Sequence, residues 1–85
     1  MPTISMFYGI LIRMFPDDHN PPHFHVIYGE YKALFGIDGE MIEGNLPKKQ
    51  RKLVEAWAAI HEDDLKANWE LTVNGEPLFN IDPLR

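Results

Sequence analysis

His23-Phe24-His25-Val26-Ile27-Tyr28-Gly29-Glu30-Tyr31-Lys32-Ala33-Leu34-Phe35-Gly36-Ile37 reads as two strands joined by a tight turn. Both halves are rich in β-branched and aromatic residues. The two-residue loop between them, Gly29-Glu30, puts glycine where a type II′ hairpin turn needs a positive φ. Asp38-Gly39 follows at once and suits a type I′ turn, which predicts a further strand over Glu40–Ile42 folding back antiparallel. Upstream, Thr3 to Phe15 (TISMFYGILIRMF) is strand-like and broken only at Gly9, which is read as a turn between two strands in preference to a bulge in one. The first half is therefore an antiparallel meander of four to five strands.

Downstream of Gly44 the period changes. Pro47 suits a first helical position, where a missing N–H costs nothing, and Leu53, Trp57 and Ile60 recur at helical spacing. Leu65 and Trp69 drift off that stripe, so the helical region either bends near His61–Asp64 or splits into two short helices. Gly75 and Pro77 end it. Trp57 and Trp69 are expected beneath the sheet as core, though either could instead wall a pocket. Pro77 to Leu84 is too apolar for a free tail and is expected to lie extended against the body or a partner. The fold class is α+β: a single domain with sheet over about 3–42, helices over about 47–74 and an extended segment over 76–85.

Composition sets the outer bounds. Eighty-five residues with 45% hydrophobic and 25% charged residues hold one folded domain and one modest core. There is no cysteine, so disulfides and thiolate zinc sites are excluded. The longest apolar run, Ile10-Leu11-Ile12, cannot span a bilayer, and the N-terminus lacks the pattern of a secretion signal, so a cytoplasmic protein is expected. Thirteen acids against eight bases leave a net charge of −5, which argues against a surface built wholly for phosphate backbone but leaves room for a local basic patch.

Chemistry concentrates in Asp18-His19-Asn20-Pro21-Pro22-His23-Phe24-His25, which holds three of the four histidines. On a strand, i and i+2 share a face, so His23 and His25 project together while Phe24 and Val26 point to the core. Pro21-Pro22 stiffens the link back to His19. Three readings compete. His19, His23 and His25, with Asp18 as a further ligand, could hold a divalent metal ion with an open position for water. Alternatively, two imidazoles could act as acid and base on a phosphodiester, helped by a cation such as Arg13 or Lys32. In the third, the histidines only bond backbone groups in a proline-rich loop or meet a partner. Asp17 is ordinary turn chemistry. His61, beside three acids, would join the strand histidines only if its helix crossed their face.

Lys48, Lys49, Arg51 and Lys52 place half of the bases at a helix start, where the helix dipole disfavours cations. They are candidates for contact with a phosphate or an acidic partner; against this stands a solvated face eased by Glu55, four residues after Arg51.

From end to end the chain resembles a small prokaryotic family, domain of unknown function four-one-six-zero. The resemblance rests on Met1-Pro2-Thr3-Ile4, Phe7-Tyr8-Gly9-Ile10, the proline-bracketed histidine core, Ala56-Trp57, Asn68-Trp69-Glu70 and Gly75-Glu76-Pro77-Leu78. It implies a stand-alone intracellular protein, often encoded beside a second small protein in an arrangement similar to toxin–antitoxin pairs, with His19, His23 and His25 as signature residues. Two function classes follow: a toxin-like effector hydrolysing RNA or a nucleotide, and a non-catalytic module binding a protein or nucleic acid. The first is preferred. A small protein encoded nearby is the expected partner, and an uncovered sheet edge or the apolar C-terminal segment would also allow a homo-oligomer.

Overall fold

Alternating burial along the first half builds one sheet. The computed structural model describes residues 3–15 and 19–84. Its strands are β1 (Thr3–Phe7), β2 (Ile10–Arg13), β3 (His23–Tyr28), β4 (Tyr31–Gly36) and β5 (Met41–Gly44), followed by helices α1 (Lys48–Ile60) and α2 (Glu62–Val73). The strands lie side by side in chain order, every neighbour antiparallel, so the fold is an α+β meander with two C-terminal helices.

The turns follow their residues, with one correction. Tyr8 and Gly9 both take positive φ, 49° and 79°, and split Thr3–Phe15 into two strands as expected. Tyr28 pairs with Tyr31 across Gly29-Glu30 in the expected tight hairpin. Asp38-Gly39, however, does not form a type I′ turn, because only Gly39 has positive φ (90°). Gly39 N–H donates to the Gly36 carbonyl at 2.9 Å and Gly36 N–H to the Glu40 carbonyl at 2.9 Å, which is a three-residue loop with the glycine at a bulge. Asp38 drives this choice: its carboxylate accepts the Glu40 N–H at 3.0 Å, a local bond the tighter turn would not offer. The last strand consequently begins at Met41 and runs to Gly44 rather than spanning Glu40–Ile42. Gly44 is required there: at φ 99° a Cβ would sit 2.6 Å from the Ala33 Cα and collide with the Lys32 carbonyl.

Pro47 precedes α1 as its N-cap, with ψ 147°, and is not its first helical residue. His61, at φ −111° and ψ 26°, separates α1 from α2, so the helical region is two helices. The buried stripe of α1 is Val54, Trp57 and Ala58, with Leu53 at its margin, while Ile60 is 66% exposed and lies off the stripe assigned to it from spacing. On α2 the buried positions are Leu65, Asn68, Trp69 and Thr72. The break at His61 re-aims the second helix so that Leu65 and Trp69 join the core.

That core lies between one face of the sheet and the helices: Ile4, Phe7, Ile10, Ile12, Phe24, Val26, Ala33 and Phe35 from the strands meet Val54, Trp57, Leu65 and Trp69. The Trp57 ring sits 5.4 Å from Phe7 and edge-on to Phe24 at 5.7 Å. Burying a large apolar side chain contributes ~1.5–3 kcal/mol, so these aromatics dominate the stability of so small a domain. An irregularity between Thr3 and Ser5 turns both Ile4 and Ser5 inward, and the Ser5 hydroxyl is buried with no hydrogen-bond partner among the described residues.

The C-terminal segment lies along the body. Asn68 clasps its backbone from both sides, donating to the Phe79 carbonyl at 2.9 Å and accepting the Phe79 N–H at 3.1 Å. The Trp57 indole donates to the Asp82 carbonyl at 2.8 Å, and Ile81, which is buried, donates to Ile4 of β1 at 2.7 Å. No helix among the described residues is long and apolar enough to cross a membrane.

Candidate functional site

Strand parity that sends Phe24 and Val26 inward sends His23, His25 and Ile27 to the opposite face, which no helix covers in its central part. Register builds the rest of the site. Thr3 pairs with Arg13, Arg13 with His25, His25 with Leu34, and Leu34 with Glu43, so one row of outward side chains crosses all five strands. The next row sets Leu11, Ile27 and Lys32 side by side. Together with Phe15, these rows line a concavity of about 430 Å3 bounded by Arg13, His25, Ile27, Lys32, Leu34 and Glu43. Its floor is apolar and its charges stand at the margin: Arg13 and Lys32 on the strands either side of the histidine strand, Glu43 on the edge strand.

Four rings run in a chain into this face. Trp69 of α2 lies 5.4 Å from His23, His23 lies 5.3 Å from His25, and Phe15 meets His25 edge-on at 4.6 Å. His23 Nδ1 is 2.8 Å from the Pro21 carbonyl. A carbonyl only accepts, so the proton sits on Nδ1 and the lone pair of the neutral ring is on Nε2. The peptide bond before Pro21 is cis. Arg13 is held as well: its Nε donates to the Thr3 hydroxyl at 3.3 Å.

His23, His25, Arg13 and Lys32 are thus brought to one face, whereas His19, Lys48, Lys49, Arg51 and Lys52 are not. His19 is exposed on the connecting loop and, among the described residues, makes no ring contact or hydrogen bond with the strand histidines. Asp17 and Asp18 lie outside the described residues. Among the described residues no group of three or more His, Asp or Glu side chains is placed to hold a metal ion. Lys48, Lys49, Arg51 and Lys52 are not part of the concavity lining; they stand on the exposed first turns of α1, where Arg51 pairs with Glu55 at 3.3 Å, the easing expected from their spacing. His61 stays at the helix junction, 3.6 Å from Asp64 and 5.6 Å from the Trp57 ring.

Sequence reading missed Phe15, Ile27, Leu34 and Glu43, and it allowed Trp69 a place in a pocket wall without naming His23 as the ring it meets. For Leu34 and Ile27 the signal was present: a two-residue turn at Gly29-Glu30 fixes every pairing back from Tyr28–Tyr31, and so places Leu34 beside His25. Phe15 and Trp69 reach the histidines through a loop and a helix packing, which no local pattern encodes.

A family model described as a domain of unknown function (DUF4160) matches residues 9–70, from the β1–β2 turn into α2, and so takes in the whole concave face except Thr3. Comparison with curated proteins and with solved structures gives no match.

Proposed function

Because the chain belongs to the DUF4160 family, whose description assigns no activity, we propose a function from the concave face itself: a toxin-like effector that cleaves phosphodiester bonds of RNA or a nucleotide, held in check by a small partner protein encoded nearby. The observation that carries this reading is the side-by-side placement of His23 and His25, 5.3 Å apart, with Arg13 paired to His25 across the strand.

On an RNA strand the chemistry balances without a third group. His23 Nε2 takes the proton of a 2′-hydroxyl; that oxygen attacks phosphorus; the bond from phosphorus to the 5′-oxygen breaks; and His25, entering protonated, delivers its proton to the leaving oxygen. The products are a 2′,3′-cyclic phosphate and a 5′-hydroxyl end, with the two histidines having exchanged protonation states. Arg13, steadied by Thr3, faces the non-bridging oxygens and offsets the charge that grows there. Imidazole suits both roles because it gains and loses a proton near neutral pH.

A second reading rests on the apolar floor. Phe15, Ile27 and Leu34 would equally accept an apolar side chain of a partner, which makes the face a binding module without chemistry. Induced expression of the protein alone, beside the His23→Ala/His25→Ala double variant at equal soluble level, separates the two. Growth arrest with cyclic-phosphate RNA ends from the wild type, and neither from the variant, supports the effector. Loss of RNA cleavage in both with partner binding intact in both supports the module.

A further inference from the structure

One charge on the concave face contradicts the others. Arg13 and Lys32 suit a phosphate, yet Glu43 lines the same concavity and would repel one. Among the described residues Glu43 has no ion-pair partner, and it stands at the far end of the row that begins Thr3–Arg13–His25 and continues through Leu34. A carboxylate in that position accepts hydrogen bonds and offers none.

We infer that the face binds a guanine nucleotide of single-stranded RNA, with the phosphate at the Arg13–His25 end, the base over Phe15, Ile27 and Leu34, and Glu43 reading the base edge. The inference rests on the RNA reading above and names its specificity. Three strand spacings, roughly 14 Å between backbones, separate Arg13 from Glu43. Arg13 and Glu43 both line the concavity, and the span between them is about the length of one nucleotide. The concavity of about 430 Å3 falls in the range of sites for ligands of that size, roughly 300–1,000 Å3. Its apolar floor, with the Phe15 ring at one side, is the surface on which an unpaired base stacks. Guanine is selected by geometry: its N1–H and N2–H are adjacent donors that match the two oxygens of one carboxylate, whereas adenine, cytosine and uracil each turn fewer donors or an acceptor toward it. Duplex RNA would not fit, because its bases are already paired and stacked.

The test is fluorescence anisotropy with labelled 2′-O-methyl RNA hexamers, which resist cleavage through the 2′-oxygen and so report binding alone. The hexamers are uridine-rich and carry a single central guanine, adenine, cytosine or uridine. The guanine hexamer is expected to bind roughly tenfold more tightly than the others, the discrimination a bidentate base contact supplies. Glu43→Gln should erase that preference, bringing the affinity of the guanine hexamer down to that of the other three. Phe15→Ala should weaken all four alike, and Arg13→Ala should flatten the dependence of affinity on salt. Thermal melting of each variant checks the fold. Equal affinity for all four hexamers, or a guanine preference that survives Glu43→Gln, overturns the inference, as does the absence of binding. Failure of the two proposals is distinguishable. Guanine-selective binding without cleavage of the unmodified hexamer leaves the specificity standing and removes the acid–base reading. Cleavage without base preference does the reverse.

Discussion

The two faces of the sheet share strands, turns and register, and differ only in parity. Inward residues Ile10, Ile12, Phe24, Val26, Ala33 and Phe35 are 0–5% exposed, whereas outward neighbours such as Arg13, His25, Ile27 and Leu34 are only half-buried. The inner face is occupied by helices that the fold cannot do without. The outer face carries two histidines, two bases and one acid, none of them fully buried. A small domain with one modest core has used one parity for stability and left the other open, the face on which the proposed chemistry would take place.

Substitutions on the two faces should break or sharpen that division. Trp57→Ala deletes the ring packed on Phe7 and Phe24 and the hydrogen bond to Asp82; it should cost ~3–5 kcal/mol in urea-monitored unfolding, enough to unfold much of the population. Asn68→Ala should follow at ~1–2 kcal/mol, since it strips both hydrogen bonds from Phe79 at a half-solvated segment. Ser5→Ala is expected to move the other way, stabilising by up to ~1 kcal/mol, because it removes a buried hydroxyl with no partner among the described residues. The smallest change in stability, within ~0.5 kcal/mol, belongs to His25→Ala on the outer face. That same variant should lower RNA cleavage by ~10²–10⁴-fold. If His25→Ala instead destabilised as much as Asn68→Ala, the outer face would be structural and the division would fail.

How far the sequence can be read follows from how local each signal is. The hairpin at Gly29-Glu30 and the alternation through His23–Tyr28 are local, and they carry the sheet and the common face of His23 and His25. Asp38-Gly39 misled because the same dipeptide serves two turns, and the side-chain bond from Asp38 to Glu40 that chooses between them depends on geometry and not on residue type. Ile60 misled for a related reason. A 3.6-residue period fixes the width of an apolar stripe but not its centre, and the centre lies at Val54, Trp57 and Ala58 because Ala58 is small enough to sit against the Gly39 loop. The site beyond the histidines was less legible. Leu34 could have been counted from the turn, but Phe15 and Trp69 reach His25 and His23 only after the loop and α2 are in place.

The clasp of Asn68, Trp57 and Ile4 on residues 79–82 bears on the order in which the molecule is finished. A chain made from its N-terminus can zip the meander through neighbouring hairpins as each one appears. β1 and the indole of Trp57 nevertheless wait for partners that arrive almost at the far end of the described chain. The hairpins are fast local steps and this closure is a slow distant one. A nascent chain therefore passes through a stage with its sheet assembled and the rim of its core still open to water, when a folding helper has its widest access to the tryptophan.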